Sequence, residues 1–121
     1  MEKLMTYEEF LQNISSIVLT KSGNCPVTPV VEMIQGKWKL QILYALCIKN
    51  PRRFGELKKF LQSVTHAALT KALKELEADG FIIRTQYNEM PPRVEYSLSD
   101  KGKDLLPIFY SLANFGLKYI D

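Results

Sequence analysis

THAALTKALKELEADGFIIRTQYNEMPPRVEYSL, residues 65–98, changes its hydrophobic period once, from about 3.6 residues to 2, and that change decides the fold. Ahead of Gly80, Leu69, Leu73 and Leu76 recur at helical spacing, while His66, Thr70, Lys71 and Lys74 fall on the other faces at about 100° per residue. Thr65 is placed to cap the first turn with its hydroxyl, and Gly80 stands where a left-handed residue ends the last one. Beyond Gly80 the pattern is that of strands: Phe81, Ile83, Thr85 and Tyr87 alternate with Ile82, Arg84 and Gln86, then Val94, Tyr96 and Leu98 alternate with Glu95 and Ser97. The two strands form a hairpin. In its loop, residues 88–93, paired prolines restrict the backbone and lift Arg93 toward a tip or shoulder.

A shorter amphipathic helix, Phe54 to Leu61, precedes this stretch and offers Leu57, Phe60 and Leu61 to the same core. Only Gln62, Ser63 and Val64 separate the two helices, a joint so short that they must cross at a steep angle. Helix, tight turn, helix and hairpin follow one another as in a winged helix-turn-helix, which lays its second helix in the major groove of double-stranded DNA. The expected fold class is therefore α+β, mostly α. Upstream, Thr28 and Pro29 start a helix by cap and first-turn proline, with Val30, Val31 and Ile34 inward and Gly36 as its stop. The next helix, Trp38 to Ile48, is apolar on nearly every side and reads as the central element of the core.

Both ends are patterned as well. Thr6 and Glu9 form a capping box, Met5 and Phe10 a hydrophobic staple, and Phe10, Ile14, Ile17 and Val18 one apolar stripe. Ser99 and Asp100 open a last helix whose Leu105, Leu106, Phe109, Leu112, Ala113, Leu117 and Ile120 exceed what one small core absorbs. Part of that surface is expected to meet another subunit. Pro107 removes a backbone donor, so a bend is expected there.

The chain has 121 residues, 46% of them hydrophobic, which suits one domain with a core of its own that dimerisation would reinforce. Its formal net charge is only +3, so attraction to nucleic acid must come from clustered rather than bulk charge. No apolar run reaches the roughly 18 residues of a membrane span, and residues 1–17 carry Glu2, Glu8 and Glu9 where a signal peptide would be basic and then apolar. A cytoplasmic protein without membrane contact is expected. HExxH, paired CxxC and glycine-rich phosphate motifs are lacking, and the one histidine, His66, has no nucleophile arranged with it. The reading is of a protein that is not an enzyme, with no catalytic residues, cofactor or metal.

Cys25-Pro26-Val27, Gly36-Lys37-Trp38, Arg52-Arg53-Phe54-Gly55-Glu56-Leu57, Leu69-Thr70, Leu76-Glu77-Ala78-Asp79-Gly80 and Pro91-Pro92-Arg93-Val94-Glu95-Tyr96-Ser97-Leu98 stand in that order. In these motifs the chain resembles HxlR-type regulators, bacterial winged-helix transcription factors related in architecture to the MarR group. The resemblance implies a homodimer built through the terminal helices, acting on an inverted-repeat operator. It divides a single domain, 1–121, into an N-terminal dimerisation helix and joint (1–24), a winged-helix DNA-binding core (25–98) and a C-terminal dimerisation helix (99–121). Residue by residue it puts His66, Ala67, Thr70, Lys71 and Lys74 at the front of the reading helix. With Thr65 at the helix start, Arg53 ahead of it and Arg93 in the wing, His66, Thr70, Lys71 and Lys74 are the candidate DNA contacts, pairing with Glu56 being the other reading for Arg53. Many relatives are basic or polar at the positions matching Ala67 and Ala72, so the operator or the affinity should differ here.

Cys47 lies inside an apolar helix and reads as an inert core residue, and two cysteines suggest no disulfide framework. Cys25, ahead of Pro26 at a joint before a helix start, is the redox-sensing candidate, because exposure and a positive dipole end favour thiolate. The resemblance implies the same, since in some members this cysteine senses oxidants or electrophiles. Two other readings stay open. One is a winged-helix module that binds protein, and the other a regulator without thiol sensing that answers a small-molecule effector held near Tyr7, Tyr110 and Tyr119.

Overall fold

The computed structural model describes residues 4–13 and 25–120. Its contacts divide the chain into two units, Met1–Ile34 and Gln35–Asp121. The first holds α1 (Tyr7–Asn13) and α2 (Thr28–Ile34). At the start of α1 the capping box forms as read, with Glu9 N donating to Thr6 Oγ1 at 3.1 Å and Thr6 N to Glu9 Oε1 at 3.3 Å. Ile14, Ile17 and Val18 of the expected stripe, and residues 21–24 of the following joint, lie outside the described residues. Thr28 is the first residue of α2 rather than its cap, and Val30 and Val31 are exposed where an inward orientation was expected.

The second unit runs α3 (Lys39–Ile48), β1 (Arg52–Arg53), α4 (Phe54–Leu61), α5 (His66–Ala78), β2 (Ile82–Tyr87), β3 (Arg93–Leu98), α6 (Asp100–Lys103) and α7 (Leu106–Tyr119). Its core is what the periodicities assign: Leu57 from α4, Leu69, Leu73 and Leu76 from α5, and Ile42, Leu43, Ala45 and Leu46 from α3 are all buried. Each such leucine removed from water contributes about 1.5–3 kcal/mol. The all-round apolarity of α3 misleads on one face, where Leu40, Tyr44 and Ile48 are exposed at i, i+4 and i+8. Phe60 is likewise not a core residue but lies on the surface under the Arg52 guanidinium, 4.7 Å from its ring centre.

The hairpin gains a third strand. β3 lies between β2 and β1, antiparallel to both, with Arg84 opposite Tyr96 and Arg52 also opposite Tyr96 on the other side. Two arginines between a proline and a phenylalanine carry no period, so β1 has no signal of its own in the sequence. The side-chain oxygen of Asn50 accepts from Leu98 N at 2.9 Å and ties the residues just ahead of β1 to the end of β3.

Gly80, at φ +83°, ends α5 as expected. Phe81 N donates to Leu76 O and Gly80 N to Glu77 O, both at 3.0 Å, so the last carbonyls of the helix are satisfied as the chain turns into β2. At the other end of the hairpin Ser99 caps α6, accepting from Gly102 N at 3.0 Å. The C-terminal helix is broken rather than bent: α6 closes at Asp104, and Pro107 falls in the first turn of α7, where its missing N–H leaves no bond unmade.

Gly102 is buried with no room for a side chain. A Cβ there would run into the carbonyl oxygen of Phe81 and stand 3.1 Å from Leu98 Cδ2. Gly102→Ala is therefore expected to destabilise the fold by about 1–3 kcal/mol. A thermal melt should show a loss on the order of 10 °C, whereas the same change at Gly55, which has open space around its Cβ position, should leave the melt nearly unchanged.

Candidate nucleic-acid interface

Helix α5 has two unlike sides. Its leucines, joined by Ala72 at 6% exposure, face the core, so Ala72 is a packing residue and not part of any contact surface. At 100° per residue it falls about 40° beyond Leu76, on the flank of the leucine stripe, and a longer polar side chain there would press on the core. The opposite side is a shallow concavity of about 500 Å³ lined by His66, Ala67, Thr70, Lys71, Lys74 and Glu75. The periodicity placed His66, Thr70, Lys71 and Lys74 away from the core, the family resemblance added Ala67, and Glu75 was not singled out. Lys71 and Lys74 are exposed and Thr70 is half-buried.

The front of the helix is held in two ways. Thr65 Oγ1 accepts from Ala68 N at 3.1 Å, as read from the sequence, and so acts as a cap rather than a free side chain. The His66 ring rests on Phe54, the first residue of α4, with centroids 4.8 Å apart and planes tilted by 47°. This contact joins the starts of α4 and α5.

The arginines differ from one another. Arg53 is exposed at the start of α4, where its backbone N–H donates to Glu56 Oε1 at 2.9 Å. Arg52 is engaged, its Nε donating to Ala45 O at 2.9 Å. Arg93 lies flat on the wing, its guanidinium 4.1 Å from the Tyr87 ring centre and within 3.4 Å of Glu89 and 3.9 Å of Glu95. Its Nε is buried without a hydrogen-bond partner among the described residues. Arg93 is thus a strut bonded along β3 and to the loop, not a cation lifted clear at a tip. Arg84, on β2, is the exposed arginine of the wing, within 3.5 Å of Gln86 Oε1. The strand alternation placed it on the same face as Gln86 but carried no sign that it was the freer cation.

Cys25 belongs to the N-terminal unit and is exposed. The backbone N–H of Val27, then the hydroxyl and N–H of Thr28, lower its thiol below the ordinary value. Local hydrogen bonds to sulfur, rather than the dipole of a seven-residue helix, are the cause. Cys47 is half-buried, and burial pushes its thiol up. Among the described residues no three His, Cys, Asp or Glu side chains cluster as metal ligands, and no helix is long and apolar enough to cross a membrane.

A family model described as HxlR-like helix-turn-helix matches residues 33–121. An HTH-type transcriptional regulator of Halalkalibacterium halodurans, BH0655, is 46% identical over 114 residues, covering 94% of this chain and 96% of that one. The crystal structure of the HTH-type transcriptional regulator YtcD superposes with a TM-score of 0.74 at 44% identity, over 78% of this chain and 95% of the other. The redox regulator HypR in its oxidised form superposes with a TM-score of 0.72 at 40% identity, over 80% and 99% of the two chains.

The Arg53 N–H first, and then the Lys49 ammonium at 2.9 Å, hold the Glu56 carboxyl below the ordinary glutamate range. A lowered folded value means that this contribution to stability is present above the unfolded value and lost as pH falls through the folded one. A carbon-detected NMR titration should therefore give Glu56 a midpoint below that of an unstructured glutamate, and Lys49→Met should move it up.

Proposed function

The chain belongs to the HxlR-like helix-turn-helix family, a transcription regulator and not an enzyme, and from this premise we propose that it binds double-stranded DNA in the cytoplasm as a homodimer on an inverted-repeat operator. The observation that carries the proposal is the open side of α5, a stripe of His66, Ala67, Thr70, Lys71 and Lys74 whose opposite side is anchored by buried leucines. A helix so held enters a major groove with its backbone already fixed. Thr70 offers a hydroxyl or a methyl to a base edge, Lys71 reaches guanine or phosphate, and Lys74 reaches phosphate. His66 and Thr65 stand at the helix start, against the nearest backbone. Arg53 is free to meet phosphate from the start of α4. Arg93 contributes on the wing through the outer edge of a guanidinium that is already stacked, and its two carboxylates weaken its pull on phosphate.

The homodimer is supported by α7. None of its residues is buried among the described ones, and Leu106, Ile108, Tyr110, Leu112, Phe115, Leu117 and Tyr119 are exposed over 14 residues. A monomer rarely leaves such an apolar surface in water. In the family arrangement the partner's helices would cover it and set two α5 helices about 34 Å apart. A groove of about 420 Å³ beside it, lined by Leu40, Tyr44, Phe60, Phe109 and Leu112, has the size and apolarity of a small-molecule effector site. That reading is kept second, because the same surface serves subunit contact.

For the signal we take Cys25, on its exposure and its hydrogen-bonded sulfur. The likeness to a redox regulator solved in oxidised and reduced forms supports this assignment.

Fluorescence anisotropy on promoter fragments from beside its own gene, at two salt concentrations and with and without oxidant, tests the reading. Binding should be sequence-selective and fall steeply with salt, and Lys71→Ala should weaken it and reduce the salt slope by about one. Oxidant should release the wild type and leave Cys25→Ser bound. Binding no better than to random DNA by folded protein would overturn the proposal. By light scattering, Leu117→Lys should shift the protein from dimer toward monomer, and DNA affinity should fall with it.

A further inference from the structure

Glu75 is the one member of the α5 concavity that the DNA-binding reading does not employ, and it is the only acid in it. Along the helix it follows Lys74 and stands one turn after Lys71, at the edge of the open stripe where the surface bends toward α3. Its carboxylate lies 3.7 Å from Lys39 Nζ, at the first turn of α3. The two partners are unequally placed, the Lys39 side chain being 17% exposed and that of Glu75 46%. The cation thus sits behind the carboxylate and holds it at one place on the rim. A loose ion pair with one exposed partner contributes little to stability, so what the pair achieves is position.

A carboxylate has only acceptors, and double-stranded DNA presents dense negative charge along its backbone. An anion carried to such a surface is repelled by every phosphate and is relieved only by a donor. In the major groove the donors are exocyclic base amines, and cytosine N4 is the one that acidic side chains characteristically meet. Resting on the DNA-binding reading above, we propose that Glu75 is a specificity-determining residue. It accepts from the N4 amine of a cytosine at the edge of each half-site, and it penalises registers that bring a phosphate there instead. Its neighbours with bearing on this charge are Lys71 and Lys74 on α5, His66 at the start of α5 and Lys39 on α3. Lys74 on phosphate holds any sequence, and Glu75 adds selectivity at the rim to that of Thr70 and Lys71.

The test is selection of duplexes from a random library by the full chain, wild type and Glu75→Gln, Glu75→Ala and Lys39→Met. Anisotropy on the selected duplex and on a scrambled one follows, with a thermal melt of each variant. The expected result is that both Glu75 variants bind the scrambled duplex more tightly. Their selected-to-scrambled affinity ratio should fall by roughly tenfold, the discrimination of one good base contact. One cytosine per half-site should become degenerate with Ala and drift toward adenine with Gln, which pairs with adenine N6 and N7. Lys39→Met, which removes the ion pair but keeps the carboxylate, should retain that cytosine. An unchanged motif and ratio in the Glu75 variants overturns the inference, as does an equal loss on both duplexes that follows a lowered melt, the sign of a mere staple between α5 and α3. Should the wild type enrich no sequence at all, the DNA-binding reading itself falls, and this inference with it.

Discussion

The structure of the C-terminal unit depends on one crossing of backbone at Phe81. Its N–H closes α5 by donating to Leu76 O, and its carbonyl accepts from Ser99 N at 3.0 Å, so a single residue ends the reading helix and begins the pairing of the wing. Gly102 approaches that carbonyl from the other side, and Lys101 secures the same corner, its ammonium donating to Asp79 O at 2.7 Å and lying 4.7 Å over the Phe81 ring. Helix α5, strand β2, the end of β3 and helix α6 therefore share one joint. A shift at any of them is felt by the others, because the interior is close-packed and the joint has no spare volume.

That joint gives the reading helix its rigidity at the C-terminal end, and the Thr65 cap with the His66–Phe54 contact gives it at the other. Between these fixed ends the leucines are sunk in the core and the lysines stand out. A helix fixed at both ends has less backbone freedom to lose on meeting a ligand, which is the physical advantage of fastening it so. The same economy appears on the wing. Arg93 is spent on stacking and ion pairs that stiffen the hairpin, while Arg84 is left to solvent.

Charge is distributed to match. With a net +3 over the whole chain, the concavity on α5 owes its positive character to Lys71 and Lys74 alone, moderated by Glu75. Within the C-terminal unit apolar exposure is concentrated elsewhere, on α7 and the outer face of α3. Surfaces of unlike chemistry thus lie on different helices, so one can meet another subunit while the other remains open.

Much of this was legible in the sequence because local rules suffice for it. The leucine period of α5, the Thr65 cap, the Gly80 stop, the alternation of β2 and β3, and the Thr6–Glu9 capping box each depend on residues within a few positions of one another. The motifs from Gly36 to Leu98 carried the family as well. What only the tertiary structure decided are relations between residues far apart in the chain. β1 exists because Arg52 and Arg53 find β3; Phe60 and the outer face of α3 are exposed although apolar; and Ala72 is interior although its neighbours read as contacts. Arg93 is stacked as well as ion-paired on the wing, since Tyr87 meets it only across the folded hairpin. Glu75, at the rim of the reading surface, is paired with Lys39, 36 positions earlier in the chain. Periodicity reports which side of an element faces inward, but the partner on the other side is chosen by packing, and no local pattern encodes it.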